Sequence, residues 1–93
     1  MKLRDSVIIV TGSATGLGSA IIKQVAAKGA RVVINYTKSE KEAHETEAVC
    51  DYLGVESILC KADVSVDEDC RRMVDLCMEK WGRIDGLVNN AAR

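Results

Sequence analysis

An unbroken β-branched run, Val7-Ile8-Ile9-Val10, opens directly into Thr11-Gly12-Ser13-Ala14-Thr15-Gly16-Leu17-Gly18. Short continuous apolar runs of this kind read as buried strands, and the glycines force a tight turn into whatever follows. A strand, a glycine turn and a helix in that order let backbone N–H groups approach a pyrophosphate closely. The positive end of the helix dipole then lies behind the phosphates. In such a cradle Gly12 permits the turn, Gly16 lets the backbone meet the ligand, and Gly18 lets the helix pack close to the strand. Ser13 and Thr15 supply hydroxyl donors, and Leu17 lies within the same turn. Taken alone, the motif also admits a lesser reading, as a loop needed only to turn the chain.

Three further apolar runs, Val32 to Ile34, Ser57 to Leu59 and Gly86 to Val88, follow at spacings that leave room for helices between them. Continuous rather than alternating apolarity predicts strands buried on both faces. The chain therefore reads β-α-β-α-β-α-β, an α/β unit with a parallel sheet and right-handed crossovers, as one domain over residues 1–93. Gly29, Gly54 and Gly82 mark the three helix ends. Ser39 with Glu42, and Ser65 with Glu68, read as capping boxes at the starts of the second and third helices. Cys70, Met73, Val74, Cys77, Met78 and Trp81 recur at helical spacing and predict one buried stripe on the third helix.

Charge and cysteine content exclude several classes. Thirteen Lys and Arg against fourteen Asp and Glu give a net charge of -1, without the basic surface that a nucleic-acid backbone demands. No apolar stretch approaches the roughly 20 residues needed to span a bilayer. Met1-Lys2-Leu3-Arg4-Asp5 lacks a secretory apolar core, so a cytoplasmic location is expected. Cys50, Cys60, Cys70 and Cys77 form no Cys-x-x-Cys pair and read as reduced, small apolar groups; no metal site is expected. His44, among Glu40, Glu42, Glu45 and Glu47, reads as part of a solvated helix face.

The spacing Thr-Gly-x-x-x-Gly-x-Gly, together with Asp63-Val64 after the third strand and Asn89-Asn90-Ala91 after the fourth, resembles the short-chain dehydrogenase/reductase family. Within it the chain is most similar to the 3-oxoacyl carrier-protein reductase type, over the family's first half. The resemblance implies half of a Rossmann doubly wound sheet, strand order 3-2-1-4, with the topological switch between the first and fourth strands. Ligands of such sheets bind there, at the carboxyl ends of the strands. It also implies that Asp63 accepts from the adenine amino group, that Val64 helps orient the ring, and that Asn90 and Ala91 line the ribose side. Ala92 stands where the family has glycine, which adds a methyl group where backbone approaches ligand.

Cofactor choice is expected to depend on the end of the second strand. Asn35 occupies the place of an acidic residue that would grip a ribose 2′-hydroxyl, and Tyr36, Thr37 and Lys38 offer two hydroxyls and one ammonium beside a 2′-phosphate. That favours NADP(H) over NAD(H). The family's catalytic Tyr-x-x-x-Lys has no match here, because Glu40 follows Tyr36 and Glu56 follows Tyr52 at the lysine position. The expectation is a truncated nucleotide-binding half with no catalytic residues of its own. Two alternatives stay open: an enzyme completed by oligomerisation or a second chain, and an interaction module whose glycine turn is vestigial. The fourth strand's edge, and the sheet face bearing Ile8, Val10, Leu87 and Val88, are expected to be uncovered and to drive homo-oligomer formation.

Overall fold

The structure is a computed structural model that describes residues 2–90. Seven elements alternate along it: β1 (Val7–Val10), α1 (Gly16–Ala27), β2 (Arg31–Tyr36), α2 (Glu40–Tyr52), β3 (Ser57–Lys61), α3 (Asp67–Trp81) and β4 (Gly86–Val88). The strands form one parallel sheet in the order β3-β2-β1-β4. β1 pairs with β2 from Val7↔Arg31 to Val10↔Ile34, and with β4 from Ile8↔Gly86 to Val10↔Val88. The chain steps outward from β1 to β3 and then returns to the far side of β1. This reversal opens a crevice at the carboxyl ends of β1 and β4, as the sequence led us to expect.

Successive side chains of a strand point to opposite faces, and both faces of β1 are covered. Ile8 and Val10 join Ile22, Ala26, Val32, Ile34, Ala43 and Cys50 in a core beneath α1 and α2. Val7 and Ile9 join Val33, Cys60, Met73 and Cys77 in a second core beneath α3. Ile8 and Val10 are therefore buried, contrary to the expected uncovered face. Burial on both faces holds for β1 and most of β2, whereas β3 is mostly half-buried and Leu87 of β4 is exposed. The sheet's edges simply outrun the helices available to cover them.

The stripe on α3 is narrower than its periodicity implies. Met73 and Cys77 are buried and Cys70 and Trp81 half-buried, but Val74 and Met78 are exposed. Met73 and Cys77 pack with Val7, Ile9, Val33 and Cys60, while Val74 borders an open hollow beside Leu87. Neither capping box forms: Ser39 and Val66 are the N-cap residues of α2 and α3, and neither makes a side-chain capping bond. Ser65 instead gives its hydroxyl and backbone N–H to Asp63 Oδ1, at 2.6 and 2.9 Å. Asp69 reaches back from the first turn of α3 to accept the Asp63 N–H at 2.8 Å. The three helix-ending glycines, Gly29, Gly54 and Gly82, all have positive φ as expected.

At the opposite end of the sheet, Asp85 accepts the Val7 N–H at 2.8 Å and pairs with Arg83 at 2.7 Å. The Arg83 hydrogen bond, helped by the Val7 N–H, holds the Asp85 carboxyl below the usual carboxylate range. No helix among the described residues is long and apolar enough to cross a membrane.

Candidate functional site

The glycine turn is clasped from two sides. On the β4 side, Thr11 N–H continues the ladder to the Val88 carbonyl at 3.0 Å, and Thr11 Oγ1 accepts the Asn90 N–H at 2.9 Å. Thr11 Oγ1 also lies 3.3 Å from Asn89 Oδ1, while the Asn90 amide donates to the Gly12 carbonyl at 3.2 Å. The motif after β4 is thereby tied to the motif after β1.

On the β2 side the contacts come from Asn35, which is 2% exposed. Its Oδ1 accepts the Gly12 N–H at 2.9 Å, and its Nδ2 donates to the Ala62 and Cys60 carbonyls at 3.0 and 3.3 Å. Its backbone exchanges two bonds with Ser13, carbonyl to N–H and N–H to Oγ, both at 2.8 Å. This arrangement shows what two of the expected site residues meet. The Asn35 amide is committed to three backbone groups, although the residue also borders the crevice in front of the turn. Ser13, fully buried with its oxygen accepting from the Asn35 N–H, braces the turn. Strand parity turns Asn35 inward, and only the carbonyls of Cys60 in β3 and Ala62 just after it, far off in sequence, reveal what it meets.

With Gly12 and Ser13 N–H spent, the ligand-facing part of the cradle begins further on. Gly16 has φ +60°, and a Cβ there would meet nothing within 4 Å, so its backbone opens onto free space. Gly18 is the reverse case: a Cβ would overlap the Gly12 carbonyl and fall 2.7 Å from Asn90 Nδ2 and 2.8 Å from Ser13 Cα. The Thr15 hydroxyl makes no capping bond and no acidic residue occupies the first turn of α1. The helix start therefore keeps its positive dipole end for a ligand. Leu17 is exposed.

In front of the turn lies a crevice of about 500 Å³, a size that suits a small-molecule site. Of the sequence-expected residues, Gly12, Thr15, Asn35, Tyr36, Thr37, Lys38, Asp63, Val64 and Asn90 border it. Ala62 and Ser65 border it too, Ser65 having been expected only as a helix cap. Gly16 opens instead onto the adjoining groove between α1 and α2. Among the described residues, Lys38 is the one cation of this lining, beside Tyr36 and Thr37. Asp63 uses Oδ1 to bind Ser65, so its carboxylate shapes the loop into α3 as well as the crevice wall. The expectations for Ala91 and Ala92 lie outside the described residues. Sequence reasoning passed over Thr11, quoted only as part of a motif, and Asp69; neither hydroxyl clasp nor backward-reaching carboxylate has a local spacing that reveals it.

Other reactive groups offer little. Burial pushes the Cys50 thiol up to about 11, with Asp51 and Glu47 adding to the effect, and burial also raises Cys60 and Cys77. His44 lies on the exposed face of α2, 3.3 Å from Glu47 and 3.7 Å from Glu40. No group of three or more His, Cys, Asp or Glu suited to a metal ion occurs among the described residues.

A profile of the short chain dehydrogenase family matches residues 6–93. The chain belongs to that family. Among short chain dehydrogenases it is 36% identical, over 92 residues, to the homolog YusS of Bacillus subtilis, covering 99% of this chain and 84% of that one. It is 41% identical over 87 residues to a Streptomyces violaceoruber protein described as ketoacyl reductase 2 of the granaticin polyketide synthase, covering 94% of this chain and 33% of that one. A short-chain dehydrogenase/reductase of Serratia marcescens superposes with a TM-score of 0.94 at 30% identity, over 100% of this chain and 38% of that one. A Burkholderia cenocepacia protein assigned as a dehydrogenase, solved with bound NADP, superposes with a TM-score of 0.89 at 31% identity, over 95% and 34%. The chain thus spans about a third of the Streptomyces relative and of these structures, and most of YusS.

Proposed function

We propose that this chain binds a nicotinamide dinucleotide, NADP(H) in preference to NAD(H), as the cofactor-holding region of a short chain dehydrogenase acting on carbonyl or alcohol groups. The observation that carries the reading is convergence: residues after all four strands, Gly12, Lys38, Asp63 and Asn90, border one crevice at the switch point. The uncapped start of α1, where Thr15 borders the crevice, suits a pyrophosphate, and the Tyr36-Thr37-Lys38 rim suits a 2′-phosphate. The NADP held by the Burkholderia cenocepacia relative supports the same choice. Bound there, the nicotinamide supplies hydride chemistry, and the residues described here hold and orient it. Substrate selection and proton transfer belong to groups that these 93 residues do not contain in the family's Tyr-x-x-x-Lys form.

Titration with NADPH and NADH, followed by nucleotide fluorescence, tests the reading. The expected NADPH dissociation constant is on the order of 10 μM to 1 mM, or about 4 to 7 kcal/mol. Lys38→Ala should weaken NADPH by about 1.5 to 3 kcal/mol, the worth of a charge-assisted bond, and leave NADH nearly unchanged. Absence of binding by either nucleotide at millimolar concentration would overturn the assignment; equal losses for both in Lys38→Ala would overturn the NADP(H) preference alone.

A second copy of the chain is the further partner we propose. β4 forms an edge of the sheet among the described residues, and Leu87 at its centre is 64% exposed. Together with exposed Val74 it borders an apolar hollow of about 460 Å³. Unpaired strand edges and apolar hollows are both surfaces that recruit another chain.

A further inference from the structure

The geometry points to Asn35 as the positioning residue that sets the glycine turn against the Asp63-Val64 side of the crevice, an inference resting on the nucleotide-binding reading. The β1–β2 ladder ends at Val10↔Ile34, one step before Asn35. Beyond it β1 has become the glycine turn, and the paired backbone no longer runs alongside. Asn35 spans the break with its side chain: Oδ1 takes the Gly12 N–H, while Nδ2 holds the Ala62 and Cys60 carbonyls beyond β2. The backbone exchange with Ser13 fixes the next residue of the turn as well. One side chain thus links the phosphate-side turn to the residue preceding Asp63, across an intervening strand.

Only an amide of this length meets the requirement. The site needs an acceptor for one N–H and a donor for two carbonyls, and both ends of the amide are used. Leucine fills the volume and satisfies neither. Aspartate keeps the acceptor but places a second oxygen against two carbonyls in a buried position, which costs the charged form and raises its pKa. A carboxylate here therefore does not act as a reader of the ribose 2′-hydroxyl: it unsettles the turn that both nucleotides need. Protonated, the same carboxyl donates to one carbonyl and accepts from Gly12, so Asn35→Asp is stabilised below its raised pKa and loses that stability as pH rises through it.

Three measurements decide the matter. Amide hydrogen exchange should show the Gly12 N–H protected in the parent and about tenfold or more faster in Asn35→Leu, the loss of one buried bond. Nucleotide titration of Asn35→Leu should show NADPH and NADH weakened together, by about tenfold, with their affinity ratio kept. Asn35→Asp, normalised to the parent at each pH, should be less stable at about pH 8 and recover at about pH 5. Unchanged Gly12 protection in Asn35→Leu would overturn the inference. So would loss of one nucleotide and not the other, or an Asn35→Asp deficit that is the same at both pH values. If Asn35→Leu does not fold, Asn35→Asp at two pH values still decides, since it is one protein compared with itself. If the parent binds no nucleotide, the binding reading fails, while Gly12 exchange and the pH pair still judge Asn35.

Discussion

Two glycines six residues or fewer from the turn's start have opposite reasons for being glycine. Gly16 adopts φ +60° in open space, whereas Gly18 has no room for a Cβ beside the Gly12 carbonyl and Ser13 Cα. Gly16→Ala should therefore cost only the left-handed backbone penalty, about 1 to 2 kcal/mol, with the fold intact. Gly18→Ala must push α1 away from backbone atoms that cannot rotate aside, an overpacking cost of about 1 to 3 kcal/mol with altered geometry of the turn. Urea unfolding gives the two stabilities, and amide chemical shifts show where each change spreads. Shifts confined to residue 16 in the first variant, and reaching Gly12, Ser13 and Asn90 in the second, are expected; the reverse pattern would contradict these contacts.

At the scale of elements, helix starts show how a sequence pattern can be present and unused. Ser39 stands at the N-cap of α2 and makes no side-chain capping bond, so Ser39→Ala should change stability by less than about 0.5 kcal/mol. Asp69 has no capping-box signature, yet it binds the Asp63 N–H at 2.8 Å and fixes the approach to α3. Asp69→Ala should cost about 1 kcal/mol, as loss of a carboxylate cap does, and should loosen the Asp63 side of the crevice. Paired thermal melts of the two variants check this order. The capping boxes were legible as letters but not as bonds, because Ser65 is drawn to Asp63 two residues back rather than to the helix ahead of it.

For the whole molecule, the exposed edge is the feature with the largest consequence. Leu87 pairs in register with Ile9, yet Ile9 is covered by α3 and Leu87 is not. The 93-residue chain should self-associate through this edge or the hollow beside it, and Leu87→Lys should reduce association by placing a charge there. Sedimentation velocity across a concentration series at tens of micromolar reads it directly. A parent chain that stays monomeric throughout would end the proposal, and a Leu87→Lys variant that associates as strongly would move the contact elsewhere.

Local residue patterns were enough to establish the order of strands and helices, the helix-ending glycines and the glycine turn, since each depends on neighbours a few positions away. Resemblance supplied the winding of the sheet, and the structure agrees with it. The tertiary structure alone decided which side chains those elements spend on one another. Asn35 sits at a strand end where a ligand-reading residue is expected, but carbonyls 25 and 27 residues downstream capture its amide. Val74 and Met78 keep helical periodicity with the core and still face outward, because the extent of the sheet beneath α3 determines how much of its stripe is covered. Periodicity records a helix's preferred face; only the assembled sheet determines how much surface is there to receive it.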